Sequence, residues 1–120
     1  MTEASRQPAE LVEIEDAGAL EELFARSNEA PVVLFKHSTT CPISARAHRE
    51  MSRFDRAVSP EIALVVVQSA NSVSQGVAER TGVRHESPQV IVLRHGKPVW
   101  TASHFDITAE AVEGTVRENA

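Results

Sequence analysis

Cys41 is the only cysteine of the chain, and it stands in the run Ser38-Thr39-Thr40-Cys41-Pro42-Ile43-Ser44. The residues before it, Pro31 to His37, are mostly apolar and β-branched and read as a buried strand. The residue after it, Pro42, suits the first turn of a helix, where its missing N–H would have no partner anyway. Ala47, Met51, Phe54 and Val58 then recur at helical spacing until Ser59-Pro60 breaks the pattern. Cys41 therefore falls at a strand-to-helix junction. Unpaired first-turn N–H groups and the helix dipole place partial positive charge beside its sulfur there. That setting favours the thiolate, which is the form that attacks a disulfide sulfur. Lys36 and Arg46 add nearby cations. The competing reading is a lone cysteine serving only as a small buried hydrophobe.

The elements that would hold this junction can be read on either side of it. Leu11 to Ile14 alternates like a short strand. Asp16 stands at an N-cap position before Leu20, Leu23 and Phe24, and Asn28 closes that helix. Ile62 to Val67 is a second continuous apolar run and Val90 to Leu93 a third, both expected as buried strands. Between them a helix opens at Asn71 or Ser72 and stops at Gly82. His95-Gly96 fits a two-residue hairpin turn, with Val99 to Ala102 returning as the partner strand. Thr108 caps a last helix with Ala111, Val112 and Val116 facing inward. The order β-α-β-α-β-α-β-β-α predicts an α/β three-layer architecture, with helices on both faces of a mixed sheet of four to five strands. The first strands are expected to run parallel and the last two to form an antiparallel hairpin. Residues 1–9 read as a flexible tail and 10–120 as one domain.

Composition narrows the function classes. A length of 120 residues is that of one ordinary domain. The net charge of −5 argues against general nucleic-acid binding. The charge is uneven: residues 31–60, around the cysteine, carry five basic and two acidic groups. The arginines Arg46, Arg49, Arg53 and Arg56 read as one solvated helix face. None of the apolar runs approaches the ~20 residues needed to cross a bilayer, and no leader pattern precedes them, so a cytoplasmic location is expected. One cysteine excludes an internal disulfide and multi-cysteine zinc sites. The five histidines contain no i, i+4 pair, so no metal site is expected.

The element order, with Thr40-Cys41-Pro42-Ile43-Ser44 after the second strand, resembles the thioredoxin fold. More closely, the chain resembles the monothiol bacilliredoxins of the bacillithiol redox system. Phe35-Lys36-His37-Ser38 leading into that motif carries the likeness, with Gly82-Val83, His85-Glu86-Ser87-Pro88-Gln89 and Ala102-Ser103-His104. It spans about residues 10 to 118, and the Cys-Pro-Ile-Ser and His-Glu-Ser-Pro-Gln segments are specific in combination.

The resemblance implies a thiol–disulfide exchanger with Cys41 as nucleophile, Pro42 beside it and Ser44 where dithiol relatives carry a resolving cysteine. The cycle would be monothiol. Cys41 would remove bacillithiol, or a related low-molecular-weight thiol, from S-thiolated client proteins, and a second small thiol or another reductase would clear it. Ser44 would donate a hydrogen bond to the thiolate, or serve only as a first-turn helix residue. Pro88 would be the cis proline facing the cysteine, with the Ser87 backbone offered to substrate; the plainer reading is a proline opening an edge strand. The small-thiol site is expected among Lys36, His37, Thr40, Ser87, Pro88 and His104, with Arg84 and His85 as further cations. No tightly bound cofactor is implied. Thioredoxins carry a buried aspartate six residues before the nucleophile; here that position is Phe35, as suits a cycle with no second thiol to deprotonate. The double glycine that precedes the last helix of glutaredoxins is absent from Ser103-His104-Phe105-Asp106. Two alternatives stay open: a glutaredoxin-like module binding an iron–sulfur cluster or glutathione, and a redox-inactive adaptor on the same fold.

Overall fold

The computed structural model describes residues 7–120. Its strands are β1 (Glu10–Glu13), β2 (Val32–His37), β3 (Glu61–Val66), β4 (Gln89–Arg94) and β5 (Lys97–Ser103). Its helices are α1 (Ala17–Arg26), α2 (Pro42–Met51), α3 (Asn71–Thr81) and α4 (Ala109–Glu118), with a short 3-10 turn at His104–Asp106. The strands form one sheet in the order β1-β3-β2-β4-β5. β3 runs parallel to β1 and β2, whereas β4 is antiparallel to both β2 and β5. The architecture is the expected three-layer α/β/α arrangement.

Alternation along the central strands divides the core in two. On one face Val33 and Phe35 of β2, Ile62 and Leu64 of β3, and Val90 and Val92 of β4 pack against Ala47 and Met51 of α2 and Val112 and Val116 of α4. On the other face Leu34, Ala63, Val65, Ile91 and Leu93 pack against Leu20, Leu23 and Phe24 of α1 and Val73 and Val77 of α3. Strands buried on both sides need side chains that are apolar at every position, which is why these segments read as continuous runs rather than alternating ones.

The caps are local and sequence-encoded. Asp16 accepts a hydrogen bond from Ala19 N at 2.8 Å, and Thr108 accepts one from Ala111 N at 3.2 Å. Gly82 ends α3 in the left-handed region at φ 73°, a conformation that side chains bearing Cβ rarely adopt. His95 and Gly96, at φ 56° and 75°, make the hairpin turn between β4 and β5.

Three expectations are corrected. The tail expected over 1–9 is already docked by its last residues: Pro8 bridges Asp55, Ala9 N donates to Phe54 O at 2.8 Å, and Ala9 is buried. Residues 1–6 lie outside the described residues. The helix after Cys41 ends at Met51, although the apolar spacing continues to Val58. There Ser52 folds back, its N–H and hydroxyl both donating to His48 O, and Phe54 enters the core from a turn. In α4 the inward positions are Ala109, Val112 and Val116, whereas Ala111 is exposed.

Candidate functional site

Two registers bring the site together. Lys36 pairs with Gln89 across β2–β4, and Gln89 with Ser103 across β4–β5. One step further along both ladders, His37, Pro88 and His104 stand in a row at the same end of the sheet. The row is tied at one seam by a hydrogen bond from His104 N to Pro88 O at 3.1 Å. The Ser87–Pro88 peptide bond is cis, and Pro88 is buried. Ser87 is half-buried, and its hydroxyl oxygen is enclosed without a hydrogen-bond partner.

Four residues beyond His37 the chain enters α2 through Cys41, which occupies the N-cap in extended conformation. Its thiol is free, half-exposed, and makes no capping bond of its own. Pro42 sits in the first turn and brings no N–H. A partly exposed sulfur at the positive end of a helix is chemically a nucleophile's position.

Ser44 is wholly buried beneath it. Its hydroxyl accepts from Ser38 N at 2.9 Å and lies 2.8 Å from His37 Nδ1. These contacts lock the 38–41 loop onto the start of α2. A bond from Ser44 to the Cys41 sulfur, one of the two roles the sequence left open, is not among its contacts; the hydroxyl is engaged with His37 and Ser38. His37 in turn lies against His48 of α2, with ring centroids 4.8 Å apart, and against Phe35 at 5.5 Å. Burial, then the neighbouring His48, hold the His37 imidazole below its usual range, while the Ser44 contact opposes them. The downward shift favours the neutral imidazole, which meets Ser44 through a hydrogen bond.

The loop has a second anchor. Gln68 Nε2 donates to Ser38 Oγ at 2.9 Å and to Thr40 Oγ1 at 3.2 Å, and Gln68 Oε1 accepts from Thr39 N at 3.2 Å. All three loop residues before Cys41 are thus held by one amide. Thr40 belongs to this clamp.

Lys36 departs most from expectation. Since Leu34 and Lys36 share a face of β2, the lysine points toward α3, away from α2, and is fully buried. Its Nζ lies 3.1 Å from His85 Nδ1, which also approaches Ser74 Oγ at 3.2 Å. Burial lowers the Lys36 pKa from 10.5 to about 8. His85 is lowered too, first by desolvation, then by the lysine, with Glu86 opposing. An enclosed ammonium does not meet a carboxylate arriving from solvent. Lys36 instead braces the 82–88 loop that leads to Pro88. On the solvent side of that loop, Glu86 Oε1 lies 3.5 Å from His104 Nδ1. Arg84 is exposed, and its backbone oxygen accepts from Gln89 Nε2 at 2.9 Å.

Sequence reasoning missed Gln68, His48, Ser74 and Glu86. Gln68 directly follows the Ile62–Val67 run, and β3 lies beside β2, so its place at the loop follows from strand order. His48 is four residues after Ser44, on one helix face with it. Among the described residues no cluster of three or more metal-ligating side chains occurs, and no helix is long and apolar enough to cross a membrane.

The family model described as monothiol bacilliredoxin BrxC matches residues 12–112. A solved structure described by its thioredoxin fold is 30% identical, with a TM-score of 0.78, covering 87% of this chain and 91% of that one. Thioredoxin NaTrxh from Nicotiana alata is similar at 16% identity and a TM-score of 0.71, covering 96% of each chain. A thioredoxin from Trypanosoma brucei brucei is similar at 13% identity and a TM-score of 0.71, covering 98% of this chain and 96% of that one.

Proposed function

Given that the chain belongs to the monothiol bacilliredoxin family and so has a thiol–disulfide redox role, we propose that Cys41 removes bacillithiol from S-bacillithiolated client proteins. The Cys41 thiolate attacks the bacillithiol sulfur of the client mixed disulfide. A new Cys41–bacillithiol disulfide forms, the client S–S bond breaks, and the client leaves as a thiolate that takes a proton from water. A second bacillithiol thiolate then attacks the bacillithiol sulfur on Cys41. It leaves as oxidised bacillithiol and regenerates the Cys41 thiolate.

The observation that supports this cycle best is the state of position 44. The residue that would resolve the adduct in a dithiol enzyme is a serine, buried and hydrogen-bonded to His37 and Ser38. A hydroxyl so engaged offers no second thiol, so release must come from outside. Cys41 at the half-exposed head of α2 supplies the first step, and the Pro88 end of β4 lies at the same edge of the sheet for the client backbone. A cytoplasmic setting, where small thiols are reduced, fits the cycle.

The test is intact mass after mixing reduced protein with a bacillithiolated client, in parallel with a glutathionylated client and with Cys41→Ala. A bacillithiol-sized adduct on Cys41 with the client freed is expected. A glutathione adduct alone would move the protein to glutathione chemistry. No adduct from either client, on folded protein with a free thiol, would refute the exchanger.

A further inference from the structure

On the function proposed above, we propose that Arg46 and Phe105 form the subsite for the non-thiol end of the small thiol. In this subsite the guanidinium takes a carboxylate of the malate and the phenyl ring lies against the sugar. Arg46 is five residues past Cys41, about 7.5 Å along the helix axis. It shares a side of α2 with Glu50, whose Oε1 accepts from Ala109 N at 2.9 Å, so this side faces the turn and helix that follow β5.

Among the described residues no carboxylate pairs with Arg46. Its natural i+4 partner would be Glu50, but both oxygens of Glu50 are engaged, Oε1 by Ala109 N and Oε2 by Arg53 at 3.1 Å. Arg26, Arg80 and Arg94 each reach a carboxylate or a backbone oxygen. Arg46 instead lies over the Phe105 ring, its guanidinium carbon 5.4 Å from the centroid, and its Nη1 is enclosed without an acceptor. A guanidinium held by a ring, with no anion on it among the described residues, is preorganised for a carboxylate, which it can grip with two parallel hydrogen bonds through Nε and Nη2, the nitrogens that are not enclosed.

Phe105 points to a ligand on its own account. It is 62% exposed, and with Val99 it is one of two large apolar side chains exposed among the described residues. The turn that presents it is fixed: His104 sits at φ 55°, its N–H bonded to Pro88 O and its ring beside Glu86. The ring is thus displayed on the strand end that adjoins the cysteine helix. Bacillithiol is a cysteinyl hexosamine joined to malate. It offers an apolar C–H face of the sugar to an aromatic ring and a carboxylate to a cation. Glutathione offers the carboxylates without the sugar.

The two residues therefore predict different substrate dependence. The experiment measures kcat/KM for removal of bacillithiol and of glutathione from the same client, using wild type, Phe105→Ala, Arg46→Gln and Arg46→Lys, each checked for folding by thermal unfolding. Loss of the ring should lower kcat/KM for the bacillithiolated client about tenfold while changing the glutathionylated one less than about twofold. Arg46→Gln should lower both about tenfold through KM, with Arg46→Lys recovering part of the loss. Folded variants within about twofold of wild type on both clients would overturn the subsite, as would an equal loss on both from Phe105→Ala. Both results leave the exchanger reading standing. Failure of the wild type on both clients would instead overturn that reading, and the subsite with it.

Discussion

Replacing Lys36 by methionine should make the protein more stable at neutral pH, not less. Lys36 is fully buried, its Nζ meets only the imidazole of His85, and no carboxylate lies within ion-pair reach among the described residues. A fall in pKa from 10.5 to about 8, caused by burial, means that the folded state disfavours the protonated lysine. At ~1.36 kcal/mol per pH unit the penalty is roughly 3 kcal/mol. Below pH 8 both folded and unfolded chains carry the proton and the penalty applies in full. Between about pH 8 and 10.5 the unfolded chain holds more protons than the folded one, so wild-type stability rises with pH. Lys36→Met keeps most of the buried volume and removes the charge. It forfeits the bond to His85, worth about 1 kcal/mol, and His85 can turn to solvent. The net expectation is a gain of about 2 kcal/mol at pH 7, shrinking to nothing or reversing by about pH 10. Urea unfolding of both proteins followed by circular dichroism reads this directly, and the difference between them cancels the titrating groups that Lys36 does not touch. A stability gap that does not change between pH 7 and 10, or a variant less stable at pH 7, would refute the reasoning.

Other substitutions test the site from different sides. Cys41→Ala should abolish adduct formation while leaving the unfolding transition within about 0.5 kcal/mol, measured by intact mass and urea titration. Ser44→Cys should convert the monothiol cycle to a dithiol one, because the two thiols then have the C-x-x-C spacing at a helix start. Oxidation would close a disulfide, seen as a loss of about two mass units with no accumulated small-thiol adduct; persistent adduct would contradict it. Gln68→Ala removes the amide that holds Ser38, Thr39 and Thr40, so stability should fall by about 1–2 kcal/mol and amide exchange at those residues should quicken. Unchanged exchange there would show that Ser44 alone holds the loop.

Much of this fold is written locally. The three apolar runs became β2, β3 and β4 because a strand covered on both faces must be apolar throughout, and caps such as Asp16, Thr108 and Gly82 act within a few residues of themselves. What escaped reading depends on partners far along the chain. The end of α2 was hidden because Phe54 and Val58 are core residues at helical spacing that reach the core from a turn. Lys36 reads as a surface cation by type, and only the sharing of a face with Leu34 sends it inward. Cys41, Pro42 and Ser44 were legible as a local motif. The row of His37, Pro88 and His104 was not, because two strand registers create it. Nor does a sequence reveal that Glu50 is spent on the start of α4, which is what leaves Arg46 unpaired.

The distances in sequence at this site also bear on how the protein comes to be active during its synthesis. The bonds holding the cysteine loop reach 28 to 30 residues forward to Gln68, and the brace under the neighbouring loop joins Lys36 to His85, 49 residues on. Val112 and Val116, near the C-terminus, complete the core beneath Phe35 and α2. Long-range pairing of this kind forms late and together. A ribosome-bound fragment ending before β4 would therefore carry the sulfur, the clamp and the brace as sequence, without the β4 strand and the α4 side chains that complete the sheet and core holding them. Nucleophile, clamp and brace would arrive in one cooperative event, and a chain with a single cysteine cannot trap itself in a wrong internal disulfide while it waits.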